Sequence, residues 1–248
     1  MNIYRKTTAT LALLAAAISP MFALSAQAQA QTPSTPSSVP IATPVTFSQD
    51  QVQLEHAILA RQVQLAYLGV DVADAANLTS SDRAALVTIL TNEASALATD
   101  ASNAAAATTE AQLQTVRQAM IGDERVYLVV SYQVNLVVNA DNDSVTEAGY
   151  TSLVSELTPL VSELGSTQAT KVLADVTSQV SAATTLTSGI SADALGLSPS
   201  GYPGNASEIK TWDFQLSQAQ HDLNVAKADV KLIEKIALGV PKLPHLHV

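Results

Sequence analysis

The feature that most constrains this chain lies near its C-terminal end, where Ile209, Trp212, Leu216, Ala219, Leu223, Ala226, Val230, Ile233 and Ala237 recur at spacings of 3 and 4. An unbroken heptad pattern over about four heptads fits a long α-helix with one stripe laid against another helix, and it fits no strand. At about 1.5 Å per residue such a helix is roughly 45 Å long. The small Ala219 and Ala226 let a partner helix approach closely. The partner is expected within the same chain, as in a bundle of long helices, with self-association through the seam as the alternative.

Upstream, apolar residues keep helical spacing in several further segments. Ser48-Gln49-Asp50-Gln51 reads as a capping box, followed by a stripe of Leu54, Ile58, Leu65 and Leu68 beside Val52, Leu59, Val63 and Ala66, with Gly69 as a stop or weak point. Thr79-Ser80-Ser81-Asp82 opens a second helix through Leu86, Leu90, Leu97 and Ala101, and Thr109 opens a third with Leu113, Val116 and Met120, closed near Gly122. Ser144-Val145-Thr146-Glu147 has the form of a capping box before Leu153, Leu157, Leu160 and Leu164, and Pro159 inside that period predicts a kink or break. Val172, Val176, Val180 and Ala183 mark another helix, ending near Ser188. A turn-rich stretch with Gly189, Gly196, Pro199, Gly201, Pro203 and Gly204 then reads as a long connection, either a cap over one bundle end or a contact surface.

Residues 125–141, RVYLVVSYQVNLVVNAD, are the most apolar stretch after the N-terminal region. A membrane span fails because Ser131, Gln133, Asn135 and Asn139 interrupt it and both ends are charged. A hairpin would need a turn at Ser131-Tyr132-Gln133, which lacks Gly, Pro and Asn, and no other segment offers a partner strand. Val126, Val130, Val134 and Val137 keep helical spacing, so the segment is expected to be a central buried helix, with a short extended piece near 125–130 as the alternative. The fold expected is all-α: an elongated bundle of about five to seven helices with a long heptad-patterned C-terminal helix.

The ends read differently. Arg5 and Lys6 before the apolar run LALLAAAISPMFAL, and Ala26-Gln27-Ala28 after it, form the pattern of a secretory signal peptide over residues 1–30. Residues 31–46 are rich in Pro, Ser and Thr and serve as a linker, a disordered leader or a stalk. The bundle domain is expected over 47–240 and a flexible tail over 241–248. The protein is therefore expected to be secreted, periplasmic or at the cell surface, with no membrane span after signal cleavage.

With no Cys in the chain, thiol nucleophiles, thiolate zinc sites and disulfides are excluded, so packing alone must hold the domain. Removal of Arg5 and Lys6 leaves 10 basic against 22 acidic residues, an acidic balance that opposes nucleic-acid binding.

The segment DERVYLVVSYQVNLVVNAD resembles one in an uncharacterised family of exported helical bacterial proteins, in which an Asp, an Arg-Val-Tyr and an apolar run precede a proline and a helix ending in Ala-Asp. Asp123, Arg125, Val126, Tyr127 and Asp141 match, and LTSSDRAAL from Leu78 resembles the family's second-helix start. The proline is absent at Ser131-Tyr132-Gln133. The resemblance implies export and a helical fold, and carries no activity with it.

Signatures of chemistry are scarce. His56, His221, His245 and His247 stand in no HExxH or Glu-x-x-His motif, and residues 141–152 begin like a calcium loop but have Thr146 and Ser152 where Gly and Glu are needed. There is no P-loop, Rossmann glycine pattern or G-x-S-x-G elbow. No metal, cofactor or catalytic residue is therefore expected. Arg125, Tyr127, Tyr132 and Asp141 are the interaction candidates, because an Arg in an apolar stretch must reach solvent or meet a carboxylate such as Asp123, Glu124 or Asp141. The function expected is a non-catalytic structural or protein-interaction role with a protein partner or self-association. A carrier of a small apolar ligand in the bundle core is the alternative, and a hydrolase using His56 or His221 a distant third.

Overall fold

A computed structural model describes residues 46–122 and 125–239 of the protein. Among them lie α1 (Phe47–Asp74), α2 (Ser80–Ala106), α3 (Glu110–Gly122), a π-helical turn at Val126–Val130, α4 (Ser131–Leu164), α5 (Thr167–Thr187), α6 (Ile190–Leu195), a 3-10 turn at Pro199–Gly201 and α7 (Ala206–Ala237). The protein is an all-α bundle, with no strand among the described residues. The expected signal peptide, nearly all of the linker, the tail with His245 and His247, and the carboxylates Asp123 and Glu124 lie outside the described residues.

The helices build two regions. In the first, the head, α1, α2 and α3 pack with the π turn and the first turns of α4 around a single core. Leu54, Ile58, Leu65 and Leu68 of α1 meet Leu86, Leu90 and Leu97 of α2, and the core is closed by Val126, Val130, Val134 and Val137. The start of α7 joins through Ile209 and Leu216, with Trp212 half-buried beside them.

The helix ends of the head are capped from neighbouring elements. The Gln51 side-chain amide donates to the Ala104 carbonyl at the end of α2 (2.8 Å). No basic residue stands in the last turn of α1; instead Arg83 of α2 donates to the carbonyls of Val72, Ala73 and Ala75. Gln133, fully buried, donates to the carbonyls of Ala194, Leu195 and Leu197 at 2.8, 3.2 and 3.3 Å, closing the end of α6. Carbonyls in a last helical turn have no partner within their own helix, and each of these side chains supplies one. An Arg117–Asp50 ion pair at 2.7 Å ties α3 to α1.

The second region, the arm, is a three-helix bundle of the C-terminal part of α4 with α5 and α7. Its apolar contacts fall into three small clusters. Val161, Ala169, Val172, Leu173 and Ile233 form one, Val176, Val180 and Ala226 a second, and Ala183, Ala219 and Leu223 a third. Residue numbers rise along α5 as they fall along α7 through these clusters, so the two helices run antiparallel. The seam residues Ile209, Leu216, Ala219, Leu223, Ala226 and Ile233 are buried and Trp212 and Val230 half-buried, all within this chain, and Ala237 is exposed. The heptad pattern is thus satisfied by α5 and the head core.

Several sequence expectations are corrected. The cap of α1 is Thr46, whose hydroxyl and Gln49 form the capping box, not Ser48. Gly69 does not stop α1, which continues to Asp74 because Val72 is still anchored in the core. Ser144 begins no helix: it lies inside α4, where Asp143 and Glu147 on either side are buried and tertiary burial overrides the local cap signal. Pro159 also lies inside α4, which continues unbroken to Leu164 and ends at Gly165 in the left-handed conformation (φ 61°) that glycine accepts without strain. The piece at 125–130 is a π turn, neither extended nor α-helical. The turn-rich connection contains α6, held by Gln133.

Candidate functional site

The π turn places the sequence candidates. A π turn widens the helix by one residue and frequently marks functional positions. Here the Val126 carbonyl accepts both the Ser131 amide and the Ser131 hydroxyl (3.0 Å), so the turn is locally satisfied. Its buried side is Val126, Val129 and Val130, while Tyr127, Leu128 and, one turn on, Tyr132 point outward.

Arg125 resolves its own burial problem without a carboxylate among the described residues. Its Nε donates to the Gly122 carbonyl (3.0 Å), and its guanidinium lies 5.1 Å from the centre of the Tyr202 ring. Arg61 of α1 sits in the same relation to Tyr127, at 5.3 Å. Both are cation–π contacts, which hold a tyrosine ring in place while leaving its hydroxyl free to work at a surface. Leu128, Tyr132 and Tyr202 line a shallow groove of about 170 Å³ with Ile209 and Asp213. Ligand pockets usually run to roughly 300–1,000 Å³, so this groove suits one side chain of a partner better than a whole small molecule.

Asp141 does not join this group. It is buried on α4, where Oδ2 accepts the Thr79 amide and Oδ1 the Ser191 hydroxyl, both at 2.9 Å. It anchors the start of α2 and α6 to α4, which is a structural task.

Two further acidic groups lie near it. Glu147 accepts the Thr187 hydroxyl at 2.9 Å, and Asp143, buried with one carboxyl oxygen unpartnered, is pushed up to about 6, chiefly by burial and then by the Glu147 charge, against a Gln220 hydrogen bond. Among the described residues no group of three or more His, Asp or Glu side chains is arranged to hold a metal ion. His56 and His221 are both exposed, on different helices.

The feature not recognised in the sequence is the outer face of α1. Val52, Leu59, Val63, Tyr67 and Val70 are 45–58% exposed. At 100° per residue they form one stripe almost opposite the buried Leu54, Ile58, Leu65, Leu68 and Val72. Val52, Leu59 and Val63 were expected beside the core stripe. That placement is wrong, because α1 is apolar on two opposite faces and only one is covered. The signal was present: 52, 56, 59, 63, 66 and 70 are spaced 4-3-4-3-4, a second heptad track in the same helix.

No helix of the described residues is long and apolar enough to cross a membrane. Comparison with protein-family models, with curated proteins and with solved structures finds no match to the chain. The fold therefore defines an all-α bundle by class, and the surfaces above are what distinguish it.

Proposed function

We propose that this is an exported helical protein without catalytic chemistry that works through protein contacts made by its head, at the cell envelope or outside the cell. The observation that carries this reading is the outward apolar stripe of α1: five large apolar side chains exposed on one helix face make a patch of the kind that interaction surfaces use. The ridge of Tyr127, Leu128 and Tyr132 supplies a second contact with the aromatic, amphipathic character favoured at interfaces. The resemblance of residues 125–141 to exported helical bacterial proteins points the same way.

Photo-crosslinking in the producing cell tests the proposal. A photoreactive residue replacing Leu59 or Tyr132 is expected to give protein adducts, while one replacing the exposed arm residue Thr158 gives none. Absence of protein adducts at both head positions would overturn the reading. An apolar molecule co-purifying with the chain and lost on Leu128→Asp would transfer the case to a carrier.

A further inference from the structure

We propose that two copies of this chain pair antiparallel through the outward stripe of α1. This rests on the interaction reading above and names the partner. The heptad spacing of Val52, His56, Leu59, Val63 and Val70 with Ala66 fits a second helix of the same period. The five exposed large side chains, with the flanking stems of Gln53, His56, Ala60 and Ala66, present on the order of 700 Å² per copy, close to the roughly 800 Å² per partner of a standard interface.

Charge restricts where two copies can meet and selects the direction. The chain has a net charge of −10, so two copies repel wherever their ordinary surfaces face each other. The heptad positions from Val52 to Val70 carry no Asp, Glu, Lys or Arg; Arg61 lies on the opposite side of the helix, and the half-buried Glu55 stands at the edge of the stripe beside Ala66. Its centre is thus an uncharged track along which two acidic molecules can meet.

At the end of α1, Asp71 and Asp74 are exposed, the last turn has no basic residue, and Arg83 is turned onto the carbonyls there. A parallel pair would stack these carboxylates against their counterparts. An antiparallel pair sets them beside the N-terminal turn of the other α1, where the helix dipole favours negative charge and the one carboxylate, Asp50, is already paired with Arg117. In that register Val52 of one copy lies opposite Val70 of the other and Leu59 beside Val63, with the two His56 side chains apart.

The test uses the exported chain, residues 31–248, in sedimentation velocity at about 5 and about 100 µM, a range suited to an interface of this modest size. Wild type is expected to move from monomer to dimer mass. Leu59→Asp with Val63→Asp should stay monomeric with unchanged helical circular dichroism, and Val87→Asp, an exposed valine of α2, should dimerise like wild type. Because the chain has no Cys, Val52→Cys and Val70→Cys chains can be mixed and oxidised. Mixed disulfide dimers are expected to dominate.

A monomer at the highest concentration, or a dimer indifferent to the Leu59 and Val63 changes, would overturn the pairing. Dominant 52–52 disulfides would overturn its direction. If the chain is monomeric while a photoreactive residue at 59 still captures other proteins in cells, the pairing fails and the interaction reading stands. If it dimerises through the stripe and captures nothing else, both hold, with the second copy as the partner.

Discussion

The head and the arm are built from the same helical material by different means. The head has one continuous core and four helix ends closed by side chains from other elements: Gln51, Arg83 and Gln133 donate to terminal carbonyls, and Asp141 accepts at the start of α2. The arm has three small clusters of Val, Ala, Leu and Ile in register along α5 and α7, with cross-helix polar ties near its base, Glu147 with Thr187 and Asp143 with Gln220. In the head, specific long-range hydrogen bonds fix where helix ends and connections sit. Heptad spacing is enough where long helices run side by side. The head, which must hold an irregular π turn and its tyrosines in position, therefore carries the specific polar contacts.

The largest expected effect lies in the head core. Leu97→Ala removes a fully buried side chain and should cost about 2–5 kcal/mol in denaturant unfolding, whereas Val176→Ala in the arm, a smaller deletion, should cost clearly less. Equal losses would erase the contrast between one core and several small ones.

Next comes Gln133→Leu, which keeps the volume near constant but removes the donor from the Leu195 and Leu197 carbonyls, while the Ala194 carbonyl keeps only the Leu197 amide. A loss of about 2–3 kcal/mol is expected from unsatisfied buried acceptors, with loosened hydrogen exchange over 190–197. A neutral result would mean that α6 is held by packing alone.

In the arm, Pro159→Ala should raise stability by about 1–3 kcal/mol, because an exposed proline inside α4 lacks the amide that the helix would use. A loss of stability would show instead that the arm needs a proline-shaped α4.

A smaller effect should appear with pH. Burial pushes Glu93 of α2 up to about 7, and Asp143 is pushed up to about 6. Their unfolded values lie near 4, so between these limits the folded chain holds protons that the unfolded chain releases. The stabilising contribution is complete below the unfolded values and is lost as pH rises through the folded ones. Thermal unfolding should fall by about 5 °C between about pH 5 and pH 8, and Glu93→Gln with Asp143→Asn should flatten that slope. A slope unchanged by both substitutions would place its origin elsewhere.

The same contrast decides what was legible in the sequence. The arm was readable because its information is local: the seam from Ile209 to Ile233 and the run from Val172 to Ala183 each declare a helix and its buried side. The head was readable only in part. The cap at Thr79 and the stripes of α2 and α3 are local, but nothing near Gln133 says that its amide belongs to α6, and Arg83 is nine residues beyond the helix end it closes. Ser144-Val145-Thr146-Glu147 misled for the converse reason, since a local cap pattern was absorbed into a longer helix once Glu147 found Thr187 forty residues away.

For the candidate site, Arg125 precedes the π turn half-buried, Tyr127 lies in it and Tyr132 follows it in α4, the two tyrosines exposed, while Asp141 is spent on structure. The outward stripe of α1 escaped because an apolar residue reveals its spacing but not which of two opposite faces the rest of the chain will cover.

The most direct test of the two-part construction is hydrogen exchange followed by mass spectrometry across the folded chain. The account predicts slowest exchange in the head, over 54–72, 86–100 and 131–140, and earlier opening of the distal arm, over 157–164, 167–173 and 230–237, as expected where buried contacts are few. Uniform protection, or an arm that outlasts the head, would contradict it.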